Sequence, residues 1–285
     1  MAIKTSNRLV QFSNDEVERL VRFYEEAERE ILQRLNRALL RGNQTQYMES
    51  AKKNIEVILK SLRSGSRQWC EEAIPRVYLE GTKHAEAQIV KMGQSLVGFG
   101  DIHQQAAQVL AEAAYNRLLG VAETIGRQAQ GIYRTLALEN VKGTVAGYDT
   151  WQQAARNYRG QLAENGVTGF KDRTGRNWNM RTYTQMVART TTMQAHLQGT
   201  ANRLLENDYD LVKVSTHSGA CELCIPWQGK VLSLTGRTPG YPTIYEAEAA
   251  GLFHPNCRHA YGLYIDLDAE IAELEAELGG AVNEQ

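Results

Sequence analysis

Cysteine is scarce in this chain. Four occur in 285 residues. One stands alone at Trp69-Cys70, and the other three lie between positions 221 and 257. Long apolar runs are absent as well. None approaches the roughly 20 residues that a membrane-spanning helix needs, so no membrane contact is expected. The opening stretch, Met1 to Glu16, has no signal-peptide hydrophobic segment. That predicts an intracellular protein in a reducing compartment, without stable disulfides. Charge of one sign is missing too. The formal net charge is −1, so no global basic field advertises nucleic acid. The chain also lacks a Walker-type phosphate loop, a Gly-x-Ser-x-Gly elbow and a His-Glu-x-x-His motif. Its carboxylates are spread along helix faces and single out no acid–base pair. No enzyme is expected from these absences.

What is present is the composition of an ordinary globular protein of one or two domains, with 42% apolar and 23% charged residues. Residues 13–140 carry helical periodicity almost throughout. Val17, Leu20, Val21, Tyr24, Ala27, Ile31, Leu35 and Leu39 recur at steps of three and four, which makes one apolar stripe on a long helix. Ser13-Asn14-Asp15 can cap its start and Arg41-Gly42-Asn43 its end. A second stripe runs through Ala51, Ile55, Leu59 and Leu62 and is expected to stop near Ser64-Gly65-Ser66. A third helix is expected over 67–97, with Pro75 as its start or a kink. A fourth begins near Asp101 and carries Leu110, Ala114, Leu118, Val121 and Ile125. Four such helices with short connections predict hairpins or a bundle.

Two glycines and a loss of helical period at 141–147 suggest a boundary. Beyond it the pattern changes to α+β. A short helix is expected over 150–164, then a hairpin over 169–178 with an Asp172-Arg173-Thr174-Gly175 turn, then a helix over 180–205. The alternation in 210–216 suits a strand, and 231–234 suits another. Tyr241 to Ala247 caps a short helix. The fold class is therefore mainly α. A long-helix N-terminal half (1–145) precedes a small α+β module (146–265) stapled by a zinc site. An acidic tail (266–285), helical or disordered, follows. Trp151, Trp178 and Trp227 are candidate core anchors of the module. Arg189 is read as an orienting ion-pair partner.

The module's chemistry is concentrated in residues 215–261. Cys221-Glu222-Leu223-Cys224 is a Cys-x-x-Cys step, and His254-Pro255-Asn256-Cys257 repeats the same step as His-x-x-Cys. Zinc takes four soft or borderline donors tetrahedrally, and a tight turn lets residues i and i+3 point at one ion. Gly219 and Pro255 are natural turn-formers there. The expected ligands are Cys221, Cys224, His254 and Cys257, with His259 and His217 as alternates. Four protein ligands close the shell and make the site structural. The plainer alternative is a set of buried apolar cysteines and satisfied histidines. A redox reading of Cys-x-x-Cys lacks the thioredoxin-like βαβ setting. A zinc-deaminase reading would need His84-Ala85-Glu86, far upstream in the helical half, and finds Ala220 where a proline belongs.

Several strings together resemble a known family. They are Met186-Val187-Ala188-Arg189-Thr190, Val214 to Cys224, Pro226-Trp227-Gln228-Gly229-Lys230-Val231, and Gly251-Leu252-Phe253-His254-Pro255-Asn256-Cys257-Arg258-His259. With the 170–178 hairpin, they resemble the phage minor capsid protein 2 family, which is similar to the Mu F-like head-morphogenesis proteins of tailed phages. The resemblance is detailed over about 165–262. It implies a virion protein without enzymatic activity, assembled in the cytoplasm of the bacterial host. It implies a place in the capsid interior or at the portal vertex, in multiple copies. The implied partners are the portal, the major capsid or scaffold proteins, and packaged DNA. The alternative is a head-carried enzyme or DNA-contacting protein ejected with the genome. The metal is not part of what the resemblance implies; it rests on ligand spacing.

Overall fold

The computed structural model describes residues 2–40, 45–146, 170–171 and 177–265. Three long helices come first: α1 (Ala2–Leu40), α2 (Thr45–Lys91) and α3 (Ile102–Ala146). Strands β1 (Phe170–Lys171) and β2 (Asn177–Trp178) then pair antiparallel, with Phe170 opposite Trp178. Helix α4 (Met180–Glu206) follows. The chain ends in β3 (Leu211–Val214), β4 (Val231–Ser233), the short α5 (Ile244–Ala249) and β5 (Tyr261–Leu263). The architecture is mainly α, with long helices followed by a small sheet module. Among the described residues, no helix is long and apolar enough to cross a membrane.

The fold corrects the expected helix count. Ser64-Gly65-Ser66 does not end a helix; α2 runs through it, and through Pro75, to Lys91. The reason is packing. A Cβ on Gly65 would sit 2.4 Å from the Phe23 ring, so the glycine makes room for an aromatic side chain of α1. The buried Ser66 hydroxyl donates to Leu62 O at 2.7 Å and meets the Tyr24 hydroxyl at 2.8 Å. The serine thus satisfies itself on its own helix, and Tyr24 uses it as a partner. The expected 67–97 helix stops early, at Lys91. The glycine at 143 does not end α3 either, since an isolated glycine costs a helix only about 1 kcal/mol. The expected stop at 41–43, the 150–164 helix with Trp151, the 172–175 turn and the acidic tail lie outside the described residues. The expected boundaries at 145/146 and 265/266 adjoin those segments.

The chain divides into two compact units, and α2 and α4 contribute to both. The first comprises 1–76 and 104–192. Its core is the predicted stripe of α1, with Val17, Leu20, Val21, Tyr24, Ile31 and Leu35 all buried. Facing residues come from α2 (Ile55, Leu59, Leu62, Trp69) and α3 (Ala114, Leu118, Val121, Ile125), also buried. Trp69 donates its indole N–H to Glu16 O at 3.0 Å, and the Tyr24 hydroxyl also lies 3.3 Å from Leu118 O. In α4, the hydroxyls of Thr190, Thr191 and Thr192 bond back to carbonyls one turn earlier, so a polar β-branched run stays helical.

The second unit comprises 77–103 and 193–285. Its sheet has the order β4-β3-β5, antiparallel throughout, with Val212 opposite both Leu232 and Leu263. Buried Val212, Val214, Leu232 and Tyr261 pack on Ala85, Ile89, Leu197, Ala201 and Leu204 of the helices. Where α2 and α4 cross, a Cβ on Gly81 would meet His196 O at 2.2 Å, and one on Gly199 would meet Tyr78 O at 2.2 Å. The two backbones therefore touch at reciprocal glycines, and Thr200 donates to Gly81 O at 3.1 Å. Buried Arg203 pairs with Glu86 at 2.9 Å and with Glu206, and it donates to the Val97 and Gly98 carbonyls. Glu86 is thereby engaged in a structural ion pair with Arg203.

A buried carboxylate ties the start of β3 to the end of β4 and the turn after it. Asp210 accepts hydrogen bonds from the hydroxyls of Ser233, Thr235 and Thr238 at 2.6 to 2.8 Å, and from Thr235 N at 2.9 Å. Burial alone would raise its pKa, but these donors win and hold it at about 2. Thr243 and Glu246 form a reciprocal capping box at the start of α5.

Candidate metal centre

Two similar turns build the centre. In the first, Gly219 takes φ +78°, a conformation open to glycine, and turns the chain after Ser218. Cys221 O then accepts from Cys224 N at 2.9 Å and from Ile225 N at 3.0 Å. A 3₁₀ turn, Ile225–Trp227, carries the chain on towards β4. In the second, Cys257 N donates to His254 O at 2.8 Å. This is the same i to i+3 closure, as the equal spacing predicts. Phe253 and Asn256 have φ +58° and +66°. Asparagine tolerates the left-handed region, whereas phenylalanine does so only under local constraint. Gly251, at φ +101°, lies where its Cβ would contact Leu223 at 3.2 Å, so the tip of the first turn rests on the approach to the second. Ser215 N to Ala260 O, at 2.8 Å, joins the two segments behind the turns.

These turns bring all the predicted side chains together. Cys221 Sγ lies 3.0 Å from His254 Nε2, and Cys224 Sγ lies 3.7 Å from Cys257 Sγ. The donors fall into two groups, each with its atoms within 4.8 Å of one another: Cys221, Cys224 and His254, and then Cys224, Cys257 and His259. Cys224 belongs to both. The alternate His259 is thus a full neighbour of the cysteines, its Nδ1 3.4 Å from Cys257 Sγ. The other alternate, His217, lies against the His259 ring with centroids 4.1 Å apart. Spacing made His259 an alternate because it lies two residues from Cys257, and the fold places it beside that cysteine.

Burial grades the site from wet to dry. Cys221 is exposed and His254 half-buried, while Cys224, Cys257 and His259 are buried at 1%, 8% and 2% exposure. The inner two cysteines belong to the same apolar cluster as Val212, Leu232, Leu252 and Tyr261. His254 Nδ1 lies 2.8 Å from Pro255 O. A carbonyl only accepts, so Nδ1 carries the proton and Nε2 presents a lone pair towards Cys221. Such an outer hydrogen bond fixes the tautomer that a metal-binding histidine needs.

The thiols differ accordingly. Burial opposes ionisation of Cys221, but bonds from the Cys224 backbone, the Cys224 thiol and the Leu223 backbone bring its pKa down to about 7. Burial and the two neighbouring thiols push Cys224 up to about 12. Burial and the neighbouring histidines hold the His259 pKa down at about 4, so its ring is neutral near pH 7 and can offer a lone pair.

The phage minor capsid protein 2 family model matches residues 11–278. A structural protein of Lactococcus phage LL-H is 26% identical over 144 residues, covering 47% of this chain and 39% of that protein. The match thus spans well under half the length of that relative. No solved structure matches the chain.

Proposed function

The chain belongs to the phage minor capsid protein 2 family, and from that premise we propose that it is a head-assembly protein placed at the portal vertex or the inner capsid surface. The family match over residues 11–278 carries the reading. The fold is in keeping with it: long helices and a small sheet module suit a protein that works by contact. In this reading the protein acts by contact, with portal, major capsid or scaffold proteins as partners, and it catalyses nothing. Purified heads analysed by mass spectrometry should contain it, and cross-linking should join it to portal or capsid subunits. A gene deletion that leaves heads normal in number, composition and DNA content would sink the proposal.

We propose further that the cysteine–histidine centre holds structural zinc through Cys221, Cys224, His254 and Cys257. The donor set fits. Three sulfurs and one imidazole suit zinc, and for bonds near 2.3 Å the edge of a zinc–thiolate tetrahedron is roughly 3.8 Å, against 3.7 Å between Cys224 and Cys257. The ion would supply a cross-link between the two turns and hold the buried thiols as thiolates.

A further inference from the structure

The centre contains more donors than one zinc can use. Four ligands complete a tetrahedral shell, and His259 and His217 remain. His259 is 2% exposed, yet its Nε2 meets no hydrogen-bond partner. The Nε2 of His217 is likewise buried and unpartnered, while its Nδ1 lies 3.1 Å from Ser218 O. That carbonyl fixes the proton on Nδ1 and leaves the lone pair on the unpartnered nitrogen. Buried polar atoms are rarely left alone. Here one stands on each of two rings whose centroids are 4.1 Å apart, and the His259 ring is the one that lies beside the Cys224 and Cys257 thiols.

We propose that the centre binds two zinc ions, with the thiolates of Cys224 and Cys257 bridging them. Cys221 and His254 complete the outer ion, and His259 and His217 complete the inner one. The proposal rests on the metal reading above and extends it. The ligand count closes: four terminal donors and two shared ones give each ion a shell of four. The choice of bridges follows from burial. Cys224 and Cys257 are the buried cysteines of the cluster, lone thiolates there are the most costly, and bridging gives each of them two cations. Cys224 already belongs to both donor groups. Three thiolates and two divalent ions leave a net charge of +1. The inner ion displaces no further thiol proton, because both bridging sulfurs are already thiolates and both histidines bind neutral.

Zinc counted by elemental analysis on the full chain, purified without chelator and desalted, tests this. About two ions per chain are expected, falling to about one in His217→Ala and in His259→Gln. Replacement by cobalt gives a second readout. In a thiolate-bridged pair, adding the second equivalent diminishes the paramagnetic resonance signal built by the first. Three results would overturn the proposal: a single ion in the wild-type chain, a second ion that survives both substitutions, or a cobalt signal that grows in proportion up to two equivalents. Total absence of metal would instead defeat the single-zinc reading as well. If the buried His259→Gln variant fails to fold, the less buried His217→Ala carries the test alone.

Discussion

The two units are held together by different means. In the first, stability is spread along helices. Seven buried positions of α1, from Val17 to Leu35, repeat one apolar stripe. Each such side chain contributes about 1.5 to 3 kcal/mol relative to exposure, and no single one is indispensable. The second unit has a three-stranded sheet of three or four residues per strand. It leans on a few polar constructions: the Asp210 clamp, the Arg203 ion pairs and the cysteine–histidine centre. A distributed core tolerates damage, whereas a module with the proposed metal staple is expected to fail when that staple is lost. Small modules often need a metal because their apolar burial is too limited alone.

Losing the staple should separate the two most sharply. Cys257→Ser is expected to cost the second unit on the order of 5 kcal/mol or more, while the first keeps its helical signal. Hydrogen exchange resolved along the chain would show protection lost over 211–263 and kept over 17–35. Uniform loss across both would mean the units do not respond independently. The converse cut is Ile31→Ala, at a fully buried position of α1. It should destabilise the first unit by about 2 to 5 kcal/mol and leave metal content unchanged, as denaturant melts and elemental analysis would reveal.

A third, smaller cut uses pH. Asp210 is held at about 2 when folded, below its ordinary 3.8. A depressed carboxylate contributes stability that is complete above the unfolded pKa and is lost as pH falls through the folded one. The window is therefore about pH 4 down to pH 2, and the contribution is about 2 kcal/mol. In Asp210→Asn, acid unfolding of the second unit should show less pH dependence across that window. An unchanged profile would remove the clamp from the account.

How far the sequence foretold this depends on the kind of signal. The α1 stripe was legible because burial repeats every three to four residues, and Val17 to Leu35 are buried as the period requires. Strand β3 was legible by alternation, and β4 as a short apolar run. Strand β5 was not, because Tyr261-Gly262-Leu263 is too short to show a period, and its pairing with β3 is a long-range fact. The continuity of α2 was hidden because Gly65 and Ser66 are local stop signals whose purpose is tertiary: they receive Phe23 and Tyr24. In the centre, equal i to i+3 steps pointed to Cys221, Cys224, His254 and Cys257, which the turns bring close together. The part of His259 depends on how the chain enters β5, which spacing does not encode.

The glycine crossing of α2 and α4 bears on temperature. Apolar burial weakens as water cools, so a core built on it loosens in the cold. At Gly81 and Gly199 the helices meet backbone to backbone, with a hydroxyl-to-carbonyl bond at Thr200. That contact owes little to the release of water from apolar surface. It holds by dispersion and hydrogen bonding, which cooling does not weaken, so this junction keeps its grip in the range where the helical stripes lose theirs.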